Sequence, residues 1–164
     1  MRRRAGQALG DSMGKRPSAF TLLELVLVLA IITVLAAIAV PRYTAAQQNF
    51  RADAAARRIV ADLGLARSRA RSQSNSQTVV FNLATSQYQM PGAPDLKNPA
   101  NTYTVLLGGA PYQARLVSVD FGGSSQVTFD GYGVPDRGGT LVISAGGVQR
   151  TIVLEATSGK ANVQ

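Results

Sequence analysis

The chain has 164 residues, of which 46% are hydrophobic and 16% are charged, and this length suits one ordinary domain with a short extra segment. It contains no cysteine and no histidine, which excludes disulfides, thiol nucleophiles, Ser-His-Asp triads and metal sites built from imidazole or thiolate. The formal net charge of +8 favours a partner rich in phosphate, either nucleic acid or an anionic lipid surface.

The basic residues lie at the two ends of one apolar segment. Residues 1–19 carry five basic side chains and one acidic, and residues 42–71 carry seven basic and two acidic. Residues 72–164 hold five of each and are neutral by count. Because similar numbers of basic residues flank the apolar segment, charge bias alone does not predict its orientation in a membrane.

The apolar segment is long enough to span a membrane. Residues 25–40 contain Thr33 as their one polar member, and the run continues past the single carboxylate of Glu24. A helix over residues 20–40 would be about 31 Å long, which covers the hydrocarbon core of a bilayer. The sequence therefore predicts a transmembrane helix here.

A secretory signal peptide is the alternative interpretation of the same segment. The basic start and the small residues Ala37-Ile38-Ala39 resemble a signal peptidase site, and cleavage there would release a secreted binding domain. The apolar region is slightly long for a signal peptide, and Glu24 would be an unexplained charge inside it. This alternative stays open.

The edge of the apolar segment carries a specific motif. Residues 15–24 read KRPSAFTLLE, which resembles the type IV prepilin processing signal, a basic leader that ends in a small residue before Phe-Thr-Leu-x-Glu. The resemblance implies that residues 1–19 are a basic leader and that a prepilin peptidase cuts between Ala19 and Phe20 on the cytoplasmic side. It also implies that the new amine of Phe20 is N-methylated.

Two further positions fit the prepilin pattern. Glu24 and Pro41 would be the fifth and twenty-second residues of the mature chain, and the resemblance implies that both act in filament assembly, with Glu24 paired to the freed amine of a neighbouring subunit. Glu24 also fits a capping box with Thr21, in which it would satisfy an N–H of its own helix. The chain departs from the family at Ala19 and Thr33, where glycine is usual or frequent.

Residues 41–72 predict an amphipathic helix that continues the span. Small apolar residues recur there with a 3.6-residue period, and such a narrow stripe suits close packing on a sheet. The stripe comprises Ala52, Ala55, Ala56, Ile59, Leu63, Ala66 and Ala70. The packing contacts are expected from Ala52, Ala56, Ile59, Leu63 and Ala66. Arg51, Arg58 and Arg69 are expected on the opposite face, where charge reversal of Arg58 would be nearly neutral for folding.

Residues 73–164 predict a β-rich head. Short β-branched or alternating runs are separated by glycine pairs, which is typical of an antiparallel meander. The predicted strands cover residues 78–82, 103–107, 114–121, 126–129, 140–144 and 148–155. Pro91, Pro94 and Pro99 do not suit a central strand, so residues 90–102 are predicted to form a surface loop.

Two groups of charged residues in the helix and head are candidate ligand sites. Asp130 and Asp136 flank a turn and could hold calcium, although turn-forming aspartates are commoner and no EF-hand spacing is present. The cations considered for contact with an anion are Arg67, Arg69, Arg71 and Lys160. A solvated helix face near lipid headgroups is the preferred interpretation of these cations, and nucleic acid is not favoured.

Several segments resemble the GspH/FimT group of minor pseudopilins and minor pilins. These segments are residues 57–70 (RRIVADLGLARSRA), 78–81, 129–135 and 139–143. The resemblance implies an α+β, type IV pilin-like fold, in which a long N-terminal helix packs through its amphipathic half on an antiparallel β-sheet head. DNA-binding relatives share a C-terminal Gly-Arg-x-Arg, but residues 159–162 here read GKAN and lack one of its cations.

The function implied by these resemblances is a minor pseudopilin, a non-enzymatic subunit of a type II secretion pseudopilus. It would cross the bacterial inner membrane once, with its head in the periplasm. Its partners would be the prepilin peptidase, other pilins or pseudopilins, the inner-membrane assembly platform and membrane lipid. The alternative within the family is a type IV minor pilin that acts in pilus assembly or DNA uptake. No cofactor, metal or enzyme is predicted, since no spaced acid, base and nucleophile are visible.

Overall fold

The computed structural model describes residues 20–95 and 98–164. The predicted leader, residues 1–19, which ends at Ala19 of the predicted cleavage site, lies outside these residues. The chain divides into two compact units between Val40 and Pro41. One α-helix, α1 (Leu22–Gln73), runs across this boundary.

The unit that ends at Val40 is helical from Leu22 onward, and every described residue in it is exposed. Its large apolar side chains are therefore not buried by the rest of the described chain. By length and composition this part of α1 can cross a membrane. A helix that is apolar on all sides needs either lipid or other protein around it.

In the second unit, α1 buries one narrow stripe. All seven residues of the sequence-derived stripe are buried and belong to the core cluster. Five of the seven are alanines, so the helix backbone can approach the strands closely, and Ile59 and Leu63 supply the larger apolar groups. This burial makes the stripe the face that joins the helix to the head.

Within residues 73–95 and 98–164, the head contains eight strands in two four-stranded sheets. The strands are β1 (Gln77–Asn82), β2 (Gln87–Pro94), β3 (Thr102–Leu106), β4 (Arg115–Asp120), β5 (Gln126–Phe129), β6 (Gly139–Ala145), β7 (Val148–Leu154) and β8 (Ala161–Val163). The first sheet has the order β3-β2-β1-β5 and the second has the order β4-β6-β7-β8. All pairings between strands are antiparallel.

The prediction of a simple meander is wrong in its connections. After β4 the chain leaves the second sheet, adds β5 beside β1 and then returns with β6 to pair with β4. Two sheets result where one continuous sheet was expected. Both still contribute to one core with the helix, and the α+β, pilin-like class is confirmed.

The prediction of a loop over residues 90–102 is wrong for its first part, because β2 continues to Pro94. The register between β2 and β3 shifts between Met90 and Pro94, and Gly92 inside this stretch has φ of 79°. Such a bulge removes residues from the hydrogen-bond ladder, so Pro91, which has no N–H, is tolerated there, and Pro94 is the last residue of the strand. The short strand β8 was also not predicted.

The core joins the α1 stripe to aromatic and aliphatic side chains of both sheets. The ring of Phe81 contacts two other aromatic rings of this core, with centroids 5.4 Å from Tyr88 and 5.8 Å from Phe121. The second sheet adds large buried side chains, namely Leu141, Ile143, Ile152 and Leu154. Helix and sheets thus form one packed head.

Candidate functional site

The start of α1 is capped by Thr21. Its hydroxyl accepts a hydrogen bond from the Glu24 backbone N–H at 3.2 Å, and its carbonyl accepts the Leu25 N–H at 3.1 Å. This is the first half of the predicted capping box. Within residues 20–95 and 98–164, no hydrogen bond or ion pair reaches the Glu24 carboxylate. The cap therefore forms, and the carboxylate is left available.

Thr33 differs from Glu24 in this respect. Its hydroxyl donates to the Ala30 carbonyl at 2.8 Å, so its polar group is satisfied by its own helix. Of the two polar side chains between Leu22 and Val40, only the charged one lacks a partner among the described residues. A charge in the hydrocarbon region is costly unless it is paired or lies near the interface.

Pro41 lies inside α1, at the boundary between the two compact units. A proline has no N–H, so the carbonyl of Ala37, four residues earlier, lacks its usual helical donor. The helix nevertheless continues to Gln73. One hydrogen bond of the helix is therefore missing where the apolar segment ends.

A buried polar cluster, which we call the Asp62 cluster, joins α1 to the first sheet. The Asp62 carboxylate accepts hydrogen bonds from the Tyr88 hydroxyl at 2.5 Å, the Tyr103 hydroxyl at 2.9 Å and Arg58 Nε at 3.0 Å. Arg58 also donates to the Tyr103 hydroxyl. Tyr88 belongs to β2 and Tyr103 to β3, so one carboxylate fastens two strands to the helix.

Sequence reasoning missed this cluster and was wrong about Arg58. The Arg58 side chain is only 37% exposed and forms an ion pair with Asp62. The Arg58 and Asp62 spacing of four residues on a helix signals such a pair. The two tyrosines are 26 and 41 residues from Asp62, and no local pattern connects them.

The cluster also shifts the protonation of its tyrosines. Burial, together with the nearby Asp62 carboxylate, raises the pKa of Tyr103 to about 12. The same two causes raise the pKa of Tyr88 further above its ordinary value. An ionised tyrosine beside a carboxylate would add like charge in a buried site. The folded chain therefore keeps both hydroxyls protonated as donors.

A second polar link, which we call the Asp53 link, joins α1 to the second sheet. Arg150 of β7 donates from Nε to Asp53 Oδ1 at 2.6 Å and from Nη2 to Asn49 Oδ1 at 3.2 Å. Nearby, Gly146 has φ of 56°, and a Cβ there would lie 2.3 Å from the Gln48 side chain. The β6–β7 turn therefore lies directly against the helix.

The candidate anion-binding cations do not form one patch. Arg67 and Arg71 line a groove of about 470 Å³ on α1, which we call the arginine groove; its lining residues are Gly64, Arg67, Ser68, Arg71 and Ser72. Arg69 does not line it. Arg67 Nε donates to the Gly133 carbonyl at 3.2 Å and would lie 3.3 Å from a Cβ on Gly159. The turn that carries Lys160 is thus brought to Arg67.

Asp130 and Asp136 both serve backbone donors of the head. Asp130 Oδ1 accepts from the N–H groups of Tyr132 and Val134 at 2.9 and 2.8 Å. Asp136 Oδ1 accepts from the Thr128 N–H at 3.0 Å. These bonds are typical of turn-forming aspartates. Across the described residues, no group of three or more acidic side chains could hold a metal ion.

Comparison with known proteins agrees with this geometry. Residues 14–40 match the prokaryotic N-terminal methylation motif, and residues 55–158 match the family of the type II transport protein GspH. No curated protein sequence matches the chain.

Two solved structures have a similar fold. The type IV minor pilin FimU of Pseudomonas aeruginosa PAO1 has a TM-score of 0.54 at 17% identity, covering 71% of this chain and 90% of its own. The minor pseudopilin EpsH of the Vibrio cholerae type 2 secretion system has a TM-score of 0.54 at 17% identity, covering 70% of this chain and 96% of its own. Both are structural pilin-like proteins, a class that is generally non-enzymatic. With its methylation motif, its long N-terminal helix and a family match over most of the head, this chain belongs to the GspH family of pilin-like proteins.

Proposed function

We propose that this chain is a minor pseudopilin, a non-enzymatic structural subunit of a type II secretion pseudopilus. The observation that carries the proposal is that the methylation motif and the GspH region are joined by one helix, α1. The helix begins at Leu22, two residues after the expected mature N-terminus. An apolar anchor and a packed head on one helix are what a filament subunit needs.

Processing is the first step of the proposed function. The prepilin peptidase removes residues 1–19 by cutting between Ala19 and Phe20, and the new amine of Phe20 is methylated. Cleavage on the cytoplasmic side would leave the head in the periplasm. The anchor, residues 20–40, then crosses the inner membrane once in contact with lipid.

Assembly is the second step. The Glu24 carboxylate pairs with the N-terminal amine of a neighbouring subunit as the inner-membrane platform moves the chain into the filament. The lack of a partner for this carboxylate among the described residues supports that role. The Thr33 hydroxyl, in contrast, already donates a hydrogen bond to a carbonyl of its own helix and needs no partner from another subunit. Pairing of opposite charges offsets part of the cost of holding a carboxylate in an apolar region. Pro41 follows the last residue of the anchor and marks the end of the segment that would pack against other subunits in the filament.

Determination of the mature N-terminus tests the processing step. Mass spectrometry of the full chain purified from its host membrane should find N-methylated Phe20 as the first residue, and Ala19→Lys should block cleavage without blocking insertion. A chain that begins at Val40 would instead identify a signal peptidase product. That result would reject the pilin-like function.

Substitution at the helix start tests the assembly step. Glu24→Gln keeps a hydrogen-bonding side chain but removes the charge, so we expect normal cleavage and insertion with reduced cross-linking to neighbouring subunits. Thr21→Ala is the matched control, because it removes the cap and keeps the charge. If Thr21→Ala abolishes cross-linking and Glu24→Gln leaves it unchanged, the pairing role is wrong.

A type IV minor pilin is the second candidate function. The FimU structure supports it as well as the EpsH structure supports the first, since TM-score and identity are the same. A deletion strain separates them: loss of protein secretion identifies the pseudopilin, and loss of pili or of DNA uptake identifies the pilin. For DNA uptake, mobility shift of the solubilised chain over a salt series would test contacts at Arg67, Arg71 and Lys160, with Arg69 outside the groove as a control.

A further inference from the structure

An exposed tyrosine is held on a rigid turn at one end of α1. Tyr132 is 85% exposed and lies in residues 130–134, which we call the tyrosine turn. Asp130 fixes the turn: its carboxylate accepts the N–H groups of Tyr132 and Val134, and its carbonyl accepts the Gly133 N–H at 2.8 Å. The backbone that carries Tyr132 is therefore ordered before any partner arrives.

Two glycines allow this turn to lie against the helix. A Cβ on Gly131 would lie 3.0 Å from the carbonyl carbon of Ser74, and a Cβ on Gly133 would lie 2.7 Å from the side chain of Arg71. Gly133 also has φ of 76°, which other residues rarely adopt. The residues on both sides of Tyr132 are therefore glycines with no room for a side chain. Tyr132 is the large exposed side chain between them.

The tyrosine turn and the arginine groove adjoin each other. The side chains of Arg67 and Arg71 lie against Gly133, and the Arg67 bond to the Gly133 carbonyl holds the two features together. Val134, which is 42% exposed, adds apolar surface. Tyrosine and arginine are among the residue types enriched at the positions that contribute most binding energy in protein interfaces, and a tyrosine on an ordered backbone loses little entropy on binding.

We infer that the tyrosine turn and the arginine groove together form a docking surface for an acidic patch on the head of a neighbouring pilin-like subunit. Tyr132 fills an apolar depression of the partner, and Arg67 and Arg71 face its carboxylates. The small residues Gly64 and Ser68 in the groove let the partner backbone approach closely. The inference rests on the proposed function and adds to it the chemistry of one subunit contact.

The distribution of charge favours a protein partner over nucleic acid. Acidic side chains lie in both loops beside the cations: Asp130 in the tyrosine turn and Glu155 in the turn whose Gly159 approaches Arg67. Nucleic acid is bound mainly through cations that neutralise its phosphates, and these two carboxylates lower the net positive charge of the turns around the groove. A folded protein can place single carboxylates opposite the arginines and avoid the acidic positions.

Site-specific photocross-linking tests the inference in the full chain. A benzophenone amino acid replaces Val134, and the chain is expressed in its host with the other subunits present. We expect an adduct that contains a second protein with an N-terminal methylation motif. Tyr132→Ala and Arg71→Glu should each lower its yield about tenfold or more, as for interface residues of this type, and Tyr132→Phe should retain most of it.

Arg115→Glu is the matched control, because Arg115 is an exposed arginine on β4, outside the groove. It should change the yield less than about twofold, the size expected for a charge outside the contact. Thermal unfolding of each solubilised variant shows whether its head is intact. An adduct with nucleic acid, no adduct, or equal loss in Arg115→Glu and Arg71→Glu would overturn the inference. The N-terminus of the same sample tests the proposed function separately: a methylated Phe20 without a subunit adduct rejects only the docking surface.

Discussion

The Asp62 cluster and the Asp53 link use the same chemistry to fasten one helix to two sheets, but they differ in burial. The Asp62 side chain is 7% exposed and accepts three side-chain hydrogen bonds. The Asp53 side chain is 43% exposed and pairs with Arg150. When a buried carboxylate or its donors lose their partner, water cannot replace the lost hydrogen bonds. The groups of an exposed pair can instead form hydrogen bonds with water. Burial, and not the number of ion pairs, should therefore decide how much each contact stabilises the head.

The largest effect should come from adding a second carboxylate one residue after Asp62. Leu63→Asp places a charge in the apolar core without donors, whereas the carboxylate at Asp62 has three. We expect a loss of more than about 4 kcal/mol in the free energy of unfolding, enough to abolish cooperative unfolding of the full chain in detergent. Circular dichroism during heating measures it. A folded Leu63→Asp chain with a normal transition would show that the stripe is not the packed face.

The next largest effect should come from breaking the Asp62 cluster. Asp62→Ala leaves the Tyr88 and Tyr103 hydroxyls and Arg58 without their acceptor, and we expect a loss of about 3–5 kcal/mol in the free energy of unfolding. Arg58→Asp should also destabilise the head, because it places a second carboxylate beside Asp62. Denaturant titration measures both. Neutral behaviour of Arg58→Asp would restore the original assignment of Arg58 to a solvent-facing surface.

Alkaline pH should weaken the same cluster gradually. Since the pKa of Tyr103 is raised to about 12 in the folded chain, the unfolded chain loses the tyrosine proton first, beginning near its ordinary value of about 10. The stabilisation is therefore complete below pH 10 and is lost as the pH rises towards 12. Tyr103→Phe should show a shallower fall in unfolding free energy across this window. Equal slopes for both chains would exclude this contribution.

The smallest effect should come from the Asp53 link. Arg150→Ala removes a partly exposed ion pair, and we expect a loss of about 0.2–1 kcal/mol in the free energy of unfolding, reduced further by salt. Thermal unfolding at low and high ionic strength measures it. A loss as large as that of Asp62→Ala would mean that exposure does not separate the two contacts.

Features that depend on residues close together in the sequence could be predicted from it, whereas features that depend on distant residues could not. The α1 stripe repeats every 3.6 residues, and the processing motif is a continuous segment, so both were visible in the chain. Strand β2 was missed because Pro91 lies in a bulge and Pro94 is the last residue of the strand, two places where proline is tolerated. The two-sheet order depends on β5 pairing with the distant β1, and the Asp62 cluster depends on tyrosines from two strands. Neither pairing leaves a local pattern.

The positions of Asp53 and Asp62 also bear on how the head responds to mechanical force. They are nine residues apart on α1, which is about 13 Å along the helix axis. If the chain is loaded along α1, as the proposed filament subunit would be, force reaches the two sheets at two different points of the helix, and neither sheet has to transmit all of it to the other. The exposed link should yield first and reform in water, while the buried cluster keeps the first sheet on the helix.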